Sequence, residues 1–91
     1  DRYPEVKRGV WIKAGTIETY RNLAGNSGIA VYKVETDSIT VQFNDGATYL
    51  YTYASTGRQH IEAMKALATE GRGLGSYISR HVRRRYAAQL R

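Results

Sequence analysis

The residues of this chain best suited to binding chemistry are its arginines, and they are concentrated near the C-terminal end. Residues 1–57 carry six basic and six acidic side chains, whereas residues 58–91 carry eight basic side chains against Glu62 and Glu70. The net charge of +6 therefore arises entirely within residues 58–91. A guanidinium group pairs bidentately with phosphate, and a one-sided positive field attracts polyanions. This charge pattern indicates a surface that binds RNA or another polyanion.

The last stretch of the chain has the pattern of an amphipathic helix that displays arginines. Ser76 is a typical N-cap residue, and apolar residues recur every four positions from Ile78 to Leu90. A continuous helix from Ser76 onward displays four arginines on the opposite face, namely Arg80, Arg83, Arg84 and Arg91. Arg85 falls on the apolar side and is the exception to this pattern.

A glycine-rich run, Gly-Arg-Gly-Leu-Gly-Ser at residues 71–76, precedes this helix. It has neither the lysine of a Walker A loop nor the spacing of a dinucleotide fingerprint. Two interpretations stay open. The run is either a helix–helix turn whose glycines relieve steric strain, or a phosphate site formed by Arg72, Gly73 and the Ser76 N–H.

Three tyrosines, Tyr49, Tyr51 and Tyr53, alternate along one predicted strand. One interpretation is a platform on which single-stranded bases stack. The other is that this face of the strand packs in the core, as large amphipathic side chains often do. We favour the core for Tyr49 and Tyr51, and we retain Tyr53 as a candidate stacking residue.

No arrangement of residues predicts catalysis. His60 and His81 have no partner at metal-ligand spacing, and no nucleophile-elbow motif is present. The absence of cysteine removes thiolate chemistry and favours a reducing, cytoplasmic compartment. No apolar run approaches the length of a membrane span. We therefore expect a non-enzymatic protein with no cofactor, no metal and no membrane partner.

The elements that must position these residues form a small α+β domain. Three β-rich runs are separated by short turns, at residues 29–35, 39–43 and 48–53. Asn44-Asp45-Gly46 is a strong hairpin signal. The capping-box spacing Thr56-x-x-Gln59 then predicts a helix that ends at Gly71. The prediction is a single domain with a three-stranded antiparallel β-meander followed by two C-terminal α-helices.

Before the first predicted strand the pattern is less informative. Residues 1–26 are expected to form an N-terminal extension that completes an edge of the fold, and residues 27–91 the α+β domain. Val10, Trp11 and Ile12 form an apolar cluster, and the tryptophan is expected to pack rather than to contact a ligand. A turn is predicted at residues 25–28 because Gly and Asn tolerate positive φ.

The order of these motifs resembles the KTSC domain, a small domain found at the C-terminus of certain lysyl-tRNA synthetases and as free-standing bacterial proteins. The resemblance covers residues 27–86 and rests on nine positions, Phe43, Gly46, Tyr49, Tyr51, Ala68, Gly71, Ile78, Arg80 and Tyr86. The chain departs from the family at Gly75, where an Asn is expected, and at Thr69-Glu70, where a Ser is usual before the glycine. The resemblance implies the α+β fold, and RNA binding has been suggested for the family.

The functional expectation is a non-enzymatic domain that binds nucleic acid, RNA first, through its C-terminal basic residues. The candidate anion-binding residues are Arg72, Gly73, Ser76, Arg80, Arg83, Arg84 and Arg91, with Tyr53 for stacking. The alternative is a protein-interaction module that docks an acidic partner, in which charge governs association rate and specificity.

Overall fold

A computed structural model describes residues 15–23, 25 and 27–91 of the chain. The Val10–Ile12 cluster and Asn26 of the predicted turn lie outside these residues. The structure is an antiparallel five-stranded sheet, ordered β1-β2-β3-β4-β5, with helices packed on one face. The strands are β1 (Ile17–Thr19), β2 (Ile29–Val34), β3 (Ser38–Phe43), β4 (Thr48–Thr52) and β5 (Ala88–Gln89). No helix in the described ranges is long and apolar enough to cross a membrane.

The predicted meander is confirmed, and so is the α+β class. Strands β2, β3 and β4 pair in sequence order, with Val41 opposite both Tyr32 and Tyr49. At the tip of the second hairpin, Gly46 has φ 92° and its N–H donates to the Phe43 carbonyl at 2.9 Å. This positive φ is why the turn requires glycine. Strands β1 and β5 add one edge each to the three strands that the sequence predicts.

The helices are α1 (Tyr53–Thr56), α2 (Arg58–Glu70) and α3 (Leu74–Tyr77), and a π-helical turn (Ile78–Val82) continues α3. We call residues 74–82 the last helical segment. Helix α2 buries Ile61, Met64 and Ala68 against the sheet, as its apolar spacing predicts. Lys65 is also buried, and its ammonium donates to the Thr36 carbonyl at 2.7 Å and to Glu62 at 3.0 Å. These hydrogen bonds offset the cost of burying the charge.

The start of α2 differs from the predicted capping box at Thr56 and Gln59. The capping box forms one turn earlier, where the Thr52 hydroxyl accepts from the Ser55 N–H and the Ser55 side chain accepts from the Thr52 N–H. Strand β4 therefore leads directly into α1, and α2 begins after Gly57 without a side-chain cap. The hydroxyl of Thr56 is engaged elsewhere because it donates to the Arg85 carbonyl at 2.8 Å. The C-terminal end at Gly71 is confirmed, with φ 82°.

The prediction of one continuous helix from Ser76 to the C-terminus is wrong. The segment begins at Leu74 and ends at Val82, and residues 88–89 pair with β4 instead. Two physical reasons explain why the helix ends early. A longer helix would press Arg85 against the core, which is costly for an unpaired charge. A longer helix would also leave the backbone groups at the edge of β4 without partners. In the structure the Ala87 N–H donates to Leu50 O at 2.6 Å, and the Leu90 N–H donates to Thr48 O at 2.7 Å.

Residues 20–23 cross the C-terminal end of α2 and hold the glycine-rich turn. The Arg21 guanidinium donates to the carbonyls of Thr69 and Glu70 at 2.8 and 3.1 Å. Carbonyls in the last turn of a helix have no partner within the helix, so Arg21 supplies one. The N–H of Leu23 donates to Gly71 O at 2.6 Å. The hydroxyl of the buried Tyr20 accepts from the N–H of Leu74, the first residue of α3, at 3.2 Å. Residues 20–23 therefore hydrogen bond to both the end of α2 and the start of the last helical segment.

Candidate nucleic-acid interface

Two adjoining depressions, of about 580 and about 440 Å³, lie where the last helical segment meets β3 and β4. They share Phe43 and Ser79, so together they form one continuous groove, which we call the arginine groove. The larger depression exposes Phe43, Tyr49, Ser79, Arg83, Arg84 and Tyr86. The smaller one exposes Ser27, Gly28, Gly73, Gly75, Ser76 and Arg80, beside the shared Phe43 and Ser79. Aromatic rings thus line one half of the groove, and small residues line the other.

Three exposed arginines, Arg80, Arg83 and Arg84, carry the charge of the groove. Within residues 15–23, 25 and 27–91, the ion pairs are Lys33–Glu35 and Lys65–Glu62, and neither involves a groove arginine. The Nε of Arg83 donates to the Ser79 carbonyl at 2.8 Å, which holds the base of its guanidinium beside the residue that both depressions share. The groove therefore presents positive charge that no described carboxylate neutralises.

Arg83 and Arg84 directly follow the last helical segment and line the groove. The N–H of Arg83 bonds to the carbonyl of Ile78, five residues back, at 2.7 Å. Arg83 itself has φ 34° and ψ −103°, a conformation that residues with a side chain rarely adopt. Strained backbone conformations of this kind cluster at functional sites. The turn at Arg83 reverses the chain, and Tyr86 then reaches the aromatic half of the groove.

Four aromatic rings form the wall and floor of the larger depression. Tyr51 is 1% exposed and forms the floor, which confirms its prediction as a core residue, and burial raises the pKa of Tyr51 to about 12. Tyr49 and Tyr86 are half-buried, with ring centroids 4.6 Å apart. Phe43 packs edge-on against Tyr49 at 5.9 Å. These three half-buried rings leave part of their aromatic surface facing the groove.

The structure brings five of the seven predicted anion-binding residues into the arginine groove. These five are Gly73, Ser76, Arg80, Arg83 and Arg84. Arg72 is exposed in the glycine-rich turn and does not line either depression, so Ser76 lies with Arg80 rather than with Arg72. Arg91 is exposed after β5, and its carbonyl accepts from the Thr48 N–H at 3.2 Å.

Tyr53 lies apart from the groove. It belongs to α1 instead of continuing β4, and its hydroxyl donates to Glu62. That hydrogen bond raises the pKa of Tyr53 above its usual value. Its ring lies 5.8 Å from the Arg58 guanidinium and 5.6 Å from the Lys65 ammonium. The Tyr53 ring therefore lies beside two cations of its own chain, Arg58 and Lys65.

Sequence reasoning missed Phe43 and Tyr86 as groove residues. Phe43 has the strand alternation of a core side chain and gives no sequence signal for a site. The helical pattern places Tyr86 on the apolar face of a continuous helix. The conflict at Arg85 is the available signal that the helix ends early, because a charge on the apolar side is incompatible with docking that face. In the structure Arg85 is exposed, so the conflict does not arise.

The two histidines meet between α2 and the last helical segment. His60 Nδ1 lies 2.7 Å from the Tyr77 hydroxyl, and the ring of His81 lies 4.5 Å from that of Tyr77. None of these three residues lines either depression of the groove. Among the described residues, no group of three or more His, Cys, Asp or Glu side chains is placed to hold a metal ion.

Comparisons of the chain with protein-family models, with curated proteins and with solved structures find no match. The resemblance to the KTSC domain therefore stays a prediction that rests on the nine residues that carry it.

Proposed function

We propose that this protein is a non-enzymatic domain that binds RNA through the arginine groove. The observation that carries the proposal is the placement of Arg80, Arg83 and Arg84, exposed and without a described carboxylate partner, beside half-buried aromatic rings. Guanidinium groups neutralise phosphates, and aromatic rings contact unpaired bases. A nucleic acid offers phosphates to the arginines and bases to the aromatic rings.

The aromatic half of the groove is what favours RNA over an acidic protein partner. A carboxylate-rich peptide would pair with the arginines equally well. It would have less use for Tyr49 and Tyr86, whose rings border the same depression as Arg83 and Arg84. The acidic partner is therefore the competing outcome of the test below.

The backbone at Arg83 allows a test in which loss of binding is separable from loss of folding. At φ 34° and ψ −103° a glycine is less strained than an arginine. The variant Arg83→Gly should therefore fold at least as stably as the wild type in urea unfolding, while it removes one groove cation. Arg80→Ala removes a second groove cation, and Arg58→Ala is the matched control because Arg58 is exposed and does not line the groove.

The measurement is fluorescence anisotropy of a labelled single-stranded RNA across a salt series. Removal of one arginine–phosphate interaction should reduce the slope of log K against log [salt] by about 0.7 for a single strand. Arg83→Gly and Arg80→Ala should each show this reduction, and Arg58→Ala should keep most of the wild-type slope. A flat salt response of the wild type, or tighter binding to a polyglutamate peptide than to RNA, would contradict the proposal and favour the acidic partner.

A further inference from the structure

The two halves of the arginine groove differ in chemistry, and this difference narrows the ligand. One half joins two arginines to aromatic rings, and the other joins one arginine to serines and glycines. We infer that the groove binds a single strand, with one unpaired base stacked in the aromatic half and the adjoining sugar-phosphate backbone in the small-residue half. This inference rests on the proposed function and specifies its substrate class.

The aromatic half is large enough to hold one flat ring. Its volume of about 580 Å³ lies in the range of pockets that hold one small molecule. Tyr49 and Tyr86 lie with their ring planes 44° apart, and Tyr86 is edge-on to the buried Tyr51. Tyr51 thus supports Tyr86 from below, so the exposed part of the pair is held by the core. A rigid, partly exposed ring pair is a suitable stacking surface for a base.

A base in a duplex cannot use this surface, because its two faces are covered by neighbouring base pairs. Sequence-tolerant aromatic stacking is a property of proteins that bind single strands. Arg83 and Arg84 alone can contact the phosphates of a duplex or of a single strand, because phosphate contacts do not read the bases. Preference for a single strand is therefore the distinguishing consequence of the aromatic wall.

The small-residue half continues the path of a backbone. Arg80 lines the small-residue half, and Arg83 lines the aromatic half, where its Nε donates to the carbonyl of Ser79, a residue that both halves share. Gly28 and Gly73 add no side chain to the wall, and Ser76 and Ser79 line it with them. A sugar-phosphate chain can approach closely at glycine, and serine hydroxyls supply hydrogen-bond partners for sugar and phosphate oxygens.

The test uses three probes with the full chain. The first is a short single-stranded RNA that contains one 2-aminopurine, whose fluorescence is quenched when it stacks. The second has the same length with an abasic site at that position, and the third is the first annealed to its complement. We expect quenching on binding of the first probe, and roughly 5- to 150-fold weaker binding of the second, the reduction expected for one stacked base.

Two groove variants and one matched control assign the stacking site. Phe43→Leu and Tyr49→Leu keep apolar bulk but remove the aromatic face, so both should weaken binding of the single strand and reduce quenching. Tyr53→Leu is the control, because Tyr53 lies apart from the groove. Circular dichroism and urea unfolding establish that each variant is folded. The quenching of the wild type tests the inference even where a variant fails to fold.

The outcomes separate this inference from the function on which it rests. Equal affinity for the intact, abasic and duplex probes, with no quenching, would overturn the single-strand inference while RNA binding stands. A reduction in Tyr53→Leu as large as that in Tyr49→Leu would also overturn it, because stacking would then lie elsewhere. No binding of any probe at low salt would remove the proposed function itself.

Discussion

The turn that begins the arginine-bearing segment depends on Gly71, and substitution of this residue makes a quantitative prediction. Gly71 is buried and has φ 82°, a left-handed conformation that costs a residue with a Cβ about 1–2 kcal/mol. A Cβ at this position would also meet the Arg21 Cβ at 2.8 Å, closer than real Cβ atoms approach. Forcing apart a packed contact typically adds about 1–3 kcal/mol. We therefore expect Gly71→Ala to destabilise the protein by about 2–5 kcal/mol in total.

Gly46 provides a matched control for the backbone part of this cost. It has φ 92°, but a Cβ there would meet nothing within 4 Å. Gly46→Ala should therefore lose only the about 1–2 kcal/mol that belongs to the backbone. Urea unfolding at neutral pH measures both variants. The difference between them isolates the contact with Arg21, and it should exceed about 1 kcal/mol.

A second arm tests the contact directly. In the Gly71→Ala background, Arg21→Gly removes the Cβ that would be struck, and a double-mutant cycle subtracts the hydrogen bonds that Arg21 gives to Thr69 and Glu70. The two substitutions should be less destabilising together than the sum of their separate effects. Additive effects, or equal destabilisation by Gly71→Ala and Gly46→Ala, would show that close packing of residues 20–23 on the end of α2 does not require glycine.

Two further predictions concern the hydrogen bonds that hold the helices. Burial acts to raise the pKa of Glu62, but hydrogen bonds from Tyr53 and Lys65 outweigh it and leave that pKa below its ordinary value of 4.5. A lowered folded-state pKa contributes stability above the unfolded value and loses it as pH falls. The stability advantage of wild type over Glu62→Gln in urea unfolding should therefore be largest at neutral pH and shrink below pH 4.5. A gap that stays constant into acid would contradict this. The substitution Tyr20→Phe leaves the Leu74 N–H without its acceptor, and we expect it to lower the free energy of unfolding by about 1–3 kcal/mol. Each kcal/mol lowers the Tm by roughly 4–8 °C in a domain of this size. An unchanged Tm would show that the hydrogen bond contributes nothing to stability.

Much of the sheet was predictable because its signals are local. Alternation of Ile39, Val41 and Phe43 with polar residues predicts β3, and Asp45-Gly46 predicts the turn that follows. Each of these features depends on neighbouring residues and on the geometry of a tight turn. The structure bounds the three central strands within one residue of the predicted runs at every end.

The ends of the chain were less predictable because their pairings are long-range. The two-residue strand β5 exists only because Leu50 and Thr48 offer an open edge, about 40 residues earlier in the chain. No local pattern in residues 86–91 distinguishes that pairing from another turn of helix. Lys65 is a similar case, since its place among buried residues depends on a carbonyl at Thr36.

The amino-acid sequence was enough to predict the charge asymmetry, the central meander and the turn at Gly46, because each depends on composition or on neighbours along the chain. Long-range contacts set which arginines share one groove. A helical wheel groups Arg80, Arg83, Arg84 and Arg91, whereas the fold groups the first three with Phe43 and Tyr86 and leaves Arg91 beyond β5. This grouping arises because residues 87–91 hydrogen bond to the edge of β4, so the chain has to leave the helix at Arg83.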